Sequence, residues 1–301
     1  MQAFDYLPAV SVDEAVAALA AGGAGARALG GGTDLIAQIK EGRRSVARLV
    51  DLKRIPALTE IKLPREGGAW IGAAVTCCTL NQHAEFRQRF PGMYDSTHLI
   101  GGVQIQGRAT LGGNLCNASP AADAIPNLIA HRVRVHVSGP GGARVVPVEA
   151  FCVGPGRTVL AAGELVVAFE FPASPVRFGA AYLRFTPRNE MDIAVAGAAA
   201  AVELDAAGQN FKSVRLALGA VGPTPLLVEA AGARLAGLPV NDASLELAGS
   251  LARAAAKPIT DMRGTIEQRQ HLADVLSVRA LRIALDRARG TRTVDALGRP
   301  L

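Results

Sequence analysis

The chain has 301 residues, half of them apolar and 19% charged, and a formal net charge of +6 at pH 7. That balance excludes a disordered chain, which combines low hydrophobicity with high net charge. Aromatic residues make up only 4%, too few for the base-stacking surfaces of single-stranded nucleic-acid binders.

The opening residues, MQAFDYLPAV, lack the basic segment and apolar stretch of a signal peptide. The longest apolar run, IAVAGAAAAV from Ile193, is about half the ~20 residues that span a bilayer. A soluble, cytoplasmic protein without membrane insertion is expected, with export as a passenger on a signal-bearing partner left open.

In chain order, SVDEAVAALAAGG predicts a helix: Ser11 and Glu14 have capping-box spacing, and Gly22 and Gly23 end it. ARAL predicts a short buried strand leading into GGGTD. After that loop, Thr33 or Asp34 is placed to cap a helix burying Leu35, Ile36 and Ile39. ARLVDLKRI predicts another strand, so residues 1–56 form a small α/β unit.

Residues 57–175 make a second unit. AWIGAAVTCCTL reads as a strand and a turn, NQHAEFRQRF as a helix, and ELVVAFEFP as a strand. VRVHVSGPGGARVVPVEAF carries two alternating runs about Gly-Pro-Gly-Gly, a hairpin pattern. Residues 176–301 form the third unit. It has strands at FGAAYLRF and SVRLALGAVG, an Ala-rich DIAVAGAAAAVEL, and closing helices from DASLELAGSLARAAA and EQRQHLADVLSVRALRIALDRAR. Hairpins in one part and βα units in another predict an α+β fold.

Cys77, Cys78, Cys116 and Cys152 form no CxxC pair, so they are expected to be buried structural thiols, and no metal is expected on this chain. The five histidines are scattered, and no Ser/His/Asp or Cys/His nucleophile arrangement appears. No catalytic residue is expected. Arg279, Arg282, Arg287, Arg289 and Arg292 read as a solvated helix face, or as a docking surface for an acidic partner or phosphates.

The segment RALGGGTDLIAQIK carries three consecutive glycines, which cost backbone entropy and mark a close approach to the main chain. A tight loop opening a helix offers unpaired N–H groups to phosphate. A Walker-type loop is excluded because GxxxxGK[ST] is absent. A Rossmann fingerprint is excluded because GAGARA, from Gly23, follows a helix and precedes a strand. A plain turn remains the alternative for GGGTD alone. A second loop of like chemistry, TLGGN at Thr110 to Asn114, precedes the helical AADAIPNLIA. Two such loops can grip one diphosphate, with Thr33, Thr110 and Asn114 adding side-chain bonds.

The segments AFDYLPAVSVDEAVAALA, ALGGGTDLIAQIK, IGAAVTCCTL, IQGRATLGGNLCNASPAADAIPNLIA and MDIAVAGAAAAV, in that order, resemble the FAD-binding medium subunit of molybdenum hydroxylases. This is the xanthine dehydrogenase, aldehyde oxidoreductase and carbon monoxide dehydrogenase family. The likeness runs from residue 3 to about residue 289. It implies two FAD-binding subdomains of the PCMH, vanillyl-alcohol-oxidase-like type. The first would be α/β and the second mostly antiparallel. A C-terminal α+β domain would follow.

By the same resemblance Leu29, Gly30, Gly31, Gly32, Thr33, Asp34 and Leu35 wrap the FAD diphosphate. Thr110, Gly112, Gly113 and Asn114 meet it from the other side, with Asn117 nearby. Gly30 stands where the family usually has Ala, and Gly32 where an amide often sits, so more of the grip is expected from backbone N–H groups. Asp123 matches the family's acidic residue beside the FAD ribose or ribityl chain. As read from the residues alone, it can equally cap the next helix. Arg184 falls where relatives place a cation near the flavin, and Ile193 where a residue covers one ring face. Arg188 and Asp192 read as structural. The Asp-x-Arg-Gly segment is present at Asp261 to Gly264, with Gln268 where Tyr is usual.

The resemblance further implies a molybdenum cofactor on a large subunit and two [2Fe–2S] clusters on a small one. Electrons would reach FAD here and pass to an external acceptor, in an (αβγ)2 heterohexamer. A stand-alone FAD-dependent oxidase of the same fold and a flavin-free assembly subunit are the rival readings.

Overall fold

The computed structural model describes residues 3–292, 294–296, 298 and 299. The extreme ends of the first and third expected units therefore lie outside the described residues. Among the described residues, no helix is long and apolar enough to cross a membrane.

The first layer is a three-stranded parallel sheet in which Arg48–Asp51 lies between Asp5–Pro8 and Ala26–Leu29. Parallel neighbours need crossovers, and the helices Val12–Gly22 and Leu35–Lys40 supply them. Ser11 caps the first of these, accepting from the Glu14 N–H at 3.1 Å, while Glu14 reaches back to the Val10 N–H at 2.8 Å. Ala15, Leu19, Val50 and Leu58 fill the core beneath.

A five-stranded antiparallel sheet follows, in the order Ile61–Lys62, Ala69–Gly72, Leu165–Phe171, Arg134–Gly139, Gly142–Pro147. The expected hairpin forms, with Gly139 opposite Gly142. The strand Ala69–Gly72 is followed by the expected turn, at Ala73 and Ala74, and the helix Cys77–Gln82 then begins because Thr76 caps it, accepting from the Thr79 N–H at 3.1 Å. Phe86 and Phe90 pack against Phe171, with Phe90 and Phe171 ring centres 5.0 Å apart.

The last sheet is four-stranded and antiparallel: Phe178–Phe185, Ala196–Leu204, Phe211–Gly219, Leu226–Leu227. The helices Asp242–Ala255 and Ile266–Ala288 share a core with it. The Ala-rich run forms a strand despite alanine's helix preference, with both of its faces buried, Ala198 and Ala200 in one core and Ala199 and Ala201 in another.

Arg287 is buried rather than on a solvated face: its guanidinium meets both oxygens of the fully buried Asp95, at 2.6 and 3.0 Å. Arg279, Arg282 and Arg289 are exposed. Cys77 is buried as expected of a structural thiol, but Cys116 is exposed on the outer side of a helix whose Leu111 and Leu115 point inward.

Candidate functional site

Strand Ala26–Leu29 ends at the glycine loop, and the chain re-enters helical geometry early, with the Ile36 N–H bonding the Gly32 carbonyl at 3.1 Å. Gly32 sits at φ +79°, a left-handed conformation that favours glycine. Because the turn starts there, Asp34 occupies the N-cap position in helical geometry and its side chain makes no capping bond. Among the described residues, the backbone N–H groups of Gly31, Gly32, Thr33 and Asp34 donate no hydrogen bond. Four adjacent free donors suit an anion.

The second glycine segment does not merely precede a helix. It is the first turn of one, Leu111–Asn117, while the next helix spans Ala124–Ala130. The buried Thr110 caps it, accepting from the Gly113 N–H at 2.9 Å, and the Thr110 carbonyl takes the Asn114 N–H. The Gly112 N–H bonds the Ala73 carbonyl at 3.0 Å, and a Cβ on Gly112 would fall 2.5 Å from that oxygen. This turn therefore offers fewer free N–H donors than the first loop. It contributes a half-buried Asn114 whose Oδ1 is enclosed without a partner among the described residues, and an exposed Gly113.

The two glycine segments touch. A Cβ on Gly31 would lie 1.8 Å from the Arg108 carbonyl oxygen, and one on Gly30 would lie 3.2 Å from Thr110 Oγ1. Two cations brace the contact: Arg108 Nε donates to the Gly31 carbonyl at 3.2 Å, and Lys53 Nζ to the Gly30 carbonyl at 3.1 Å. Lys53 is itself held at 2.5 Å by the buried Asp51, which also accepts from the Tyr6 hydroxyl. Burial pushes the Asp51 carboxyl up, but bonds from Lys53 and Tyr6 outweigh it and hold it below its ordinary range.

A second group forms around Asp123. Its carboxylate accepts from the Tyr182 hydroxyl at 2.8 Å and from Arg184 at 2.7 Å, all three being well shielded from solvent. Asp123 does sit at the start of the helix Ala124–Ala130, yet it makes no capping bond, because both oxygens are spent on these partners. Burial pushes its carboxyl up to about 6, against the pull of Arg184 and Tyr182. Ile193 is half exposed on the loop beyond Arg184. Arg188 and Asp192 in that loop are a loose 3.9 Å pair, and Asp192 also accepts from the Ile193 N–H. Met191 reaches back toward Gly102, upstream of the second glycine segment. Asn117, half-buried, closes the helix Leu111–Asn117.

Lys53, Arg108 and Tyr182 escaped the sequence reading. Tyr182 had a signal: two residues from Arg184 on one strand, it shares that side chain's face. Lys53 and Arg108 had none, because both act on carbonyl groups.

Residues 2–174 match the model of the "FAD binding domain in molybdopterin dehydrogenase", and residues 181–284 that of the "CO dehydrogenase flavoprotein C-terminal domain". The chain is 31% identical over 266 residues to the xanthine dehydrogenase FAD-binding subunit of Escherichia coli O157:H7, covering 88% of this chain and 90% of that one. It is 34% identical over 288 residues to the carbon monoxide dehydrogenase medium chain of Afipia carboxidovorans, covering 95% and 98%. Among solved structures it is similar to a chain of the reconstituted CO dehydrogenase from Oligotropha carboxidovorans, with TM-score 0.90, 32% identity and coverage of 95% and 99%. It is also similar to a chain of quinoline 2-oxidoreductase from Pseudomonas putida 86, with TM-score 0.87, 26% identity and coverage of 96% and 98%.

Proposed function

The chain belongs to the family of FAD-binding medium subunits of molybdenum hydroxylases, and from that membership we propose how its own residues divide the work. The protein is the FAD-carrying electron-transfer subunit of a multi-subunit oxidoreductase, with the molybdenum cofactor and [2Fe–2S] clusters on partner subunits. Its relatives include chains named as the medium chain of carbon monoxide dehydrogenase and the FAD-binding subunit of xanthine dehydrogenase. We infer an (αβγ)2 assembly in the cytoplasm.

We propose three units, 1–56, 57–175 and 176–301, with the flavin held by the first two and covered by the third. The free N–H groups of Gly31 to Asp34 carry this reading, since a diphosphate needs several donors and these four adjacent ones have no other partner. Leu29 and Leu35 flank that cradle, and Thr33 adds a hydroxyl. Thr110, Gly112 and Gly113 shape the opposite wall by close packing. Asn114 offers its enclosed amide oxygen to a hydroxyl of the ligand, and Asn117 lies at the far end of the same helix. Asp123 is placed to accept from ribityl or ribose hydroxyls. Arg184, fixed by Asp123 through one nitrogen, keeps its other donors for a flavin carbonyl, and Ile193 covers the ring. When bound, FAD supplies the step from single-electron uptake to pairwise delivery. No side chain needs to act as acid or base toward a substrate.

Flavin released by heat from the purified complex tests the reading. One FAD per medium chain is expected, and a complex that is active but flavin-free overturns it.

A further inference from the structure

Resting on the reading that the first glycine loop holds the FAD diphosphate, we propose that Lys53 and Arg108 are positioning residues that aim the loop's N–H groups at the ligand by gripping its carbonyls from behind. The argument is one of peptide geometry. In a planar trans peptide the C=O and the following N–H point in opposite directions. Lys53 Nζ holds the Gly30 carbonyl at 3.1 Å, which fixes the direction of the Gly31 N–H. Arg108 Nε holds the Gly31 carbonyl at 3.2 Å, which fixes the Gly32 N–H. The Ile36 N–H holds the Gly32 carbonyl at 3.1 Å and so fixes the Thr33 N–H.

Three consecutive peptide planes are thereby pinned at their carbonyls, and the N–H group at the opposite edge of each donates to nothing among the described residues. Glycine makes such pinning necessary, because an unrestrained Gly-Gly-Gly loop samples both senses of each peptide plane. A cation on the carbonyl also polarises the peptide unit and strengthens its N–H as a donor. Lys53 has its own support in Asp51 and Tyr6, so its ammonium is placed before any ligand arrives. Arg108 reaches its carbonyl from the segment just before the second glycine turn, which makes the grip depend on the two segments meeting.

The test uses the purified complex stripped of flavin, titrated with FAD and followed by quenching of flavin fluorescence, with the melting temperature of the flavin-free complex measured alongside. Arg108→Ala and Lys53→Met each weaken FAD binding about tenfold to a hundredfold, the scale of one charge-assisted hydrogen bond. Arg108 is exposed, so Arg108→Ala leaves the flavin-free melting temperature within error of wild type. Lys53→Arg restores most of the affinity. The proposal is overturned if both variants bind FAD within about twofold of wild type, or if affinity falls only in step with the flavin-free melting temperature. A wild-type complex that does not bind FAD overturns the functional reading itself, an outcome distinct from wild-type affinity in the variants.

Discussion

Gly31→Ala is the sharpest perturbation the structure offers. The added methyl would sit 1.8 Å from the Arg108 carbonyl oxygen, 2.5 Å from its carbon and 3.1 Å from the Ala109 nitrogen. All three neighbours are main chain, so no rotamer change relieves the clash, and the shortest contact must open from 1.8 Å to beyond 3.0 Å. That separation breaks the Arg108–Gly31 bond and draws Gly30 away from Thr110. Overpacking of this kind costs about 1–3 kcal/mol in stability. Because the displaced peptides carry the free N–H groups, the loss of bound flavin exceeds what the fall in stability alone would give. Gly107→Ala is the matched control: its Cβ enters open space and its φ of −64° suits alanine, so the change is neutral or stabilising by up to about 1 kcal/mol. Flavin content and thermal unfolding of the two variant complexes make the comparison. Wild-type flavin content in Gly31→Ala at an unchanged melting temperature would refute the claim that contact between these segments builds the cradle.

Burial among Phe90, Phe171 and Phe178 pushes His131 down to about 4, against an ordinary value of 6.5. Its stabilising contribution is thus complete above pH 6.5 and lost as pH falls toward 4, because the unfolded chain takes up the proton first. Denaturant titrations of His131→Phe and wild type should therefore show a stability difference that shifts by about 3 kcal/mol in the variant's favour between pH 7 and pH 4; a constant difference counts against the argument. Asp123→Asn strands the buried Arg184 and is expected to cost about 3–5 kcal/mol, most of it recovered in Asp123→Asn/Arg184→Met. Simple additivity of the two single changes in denaturant melts would show that the pair is not coupled. Arg287→Met strips the buried Asp95 carboxyl of its cation, with a similar loss, and Arg287→Lys fails to restore it because an ammonium lacks the planar fork that meets both oxygens and the Ala180 carbonyl.

Legibility followed the range of the interactions. The capping box at Ser11 and Glu14 and the hairpin about Gly139 and Gly142 are local, so short spacings displayed them. The Thr76 cap is equally local, accepting from an N–H three residues on. The strand character of Ala196–Leu204 was hidden, because burial on both faces removes the alternation that marks a half-exposed strand. At the candidate site, glycine-rich strings announced both segments. The sequence could not say that one leaves its N–H groups free among the described residues while the other spends them on Ala73 and Thr110. That depends on a contact between residues some eighty positions apart in the chain.

The excess of positive charge shows the same gap between composition and use. Arg outnumbers Lys by 27 to 5, which in the sequence alone suggests a solvated face or an acidic partner. In the fold, many of these arginines serve the backbone instead. Arg269 donates to the Val195 and Ala220 carbonyls, Arg287 to those of Ala180 and Val294, Arg215 to Ile129, Arg144 to Val159, Arg89 to Pro64, and Arg108 to Gly31. A guanidinium suits this role: it stays charged, carries five donors in a rigid fork, and is less strongly hydrated than an ammonium. One arginine can therefore satisfy main-chain carbonyls while it also pairs with a carboxylate, as Arg269 does with Asp261 and Arg287 with Asp95. The arginine content thus follows in part from a fold that satisfies main-chain carbonyls with guanidinium groups, at Gly31 as at Val195, Ala220, Ala180 and Ile129.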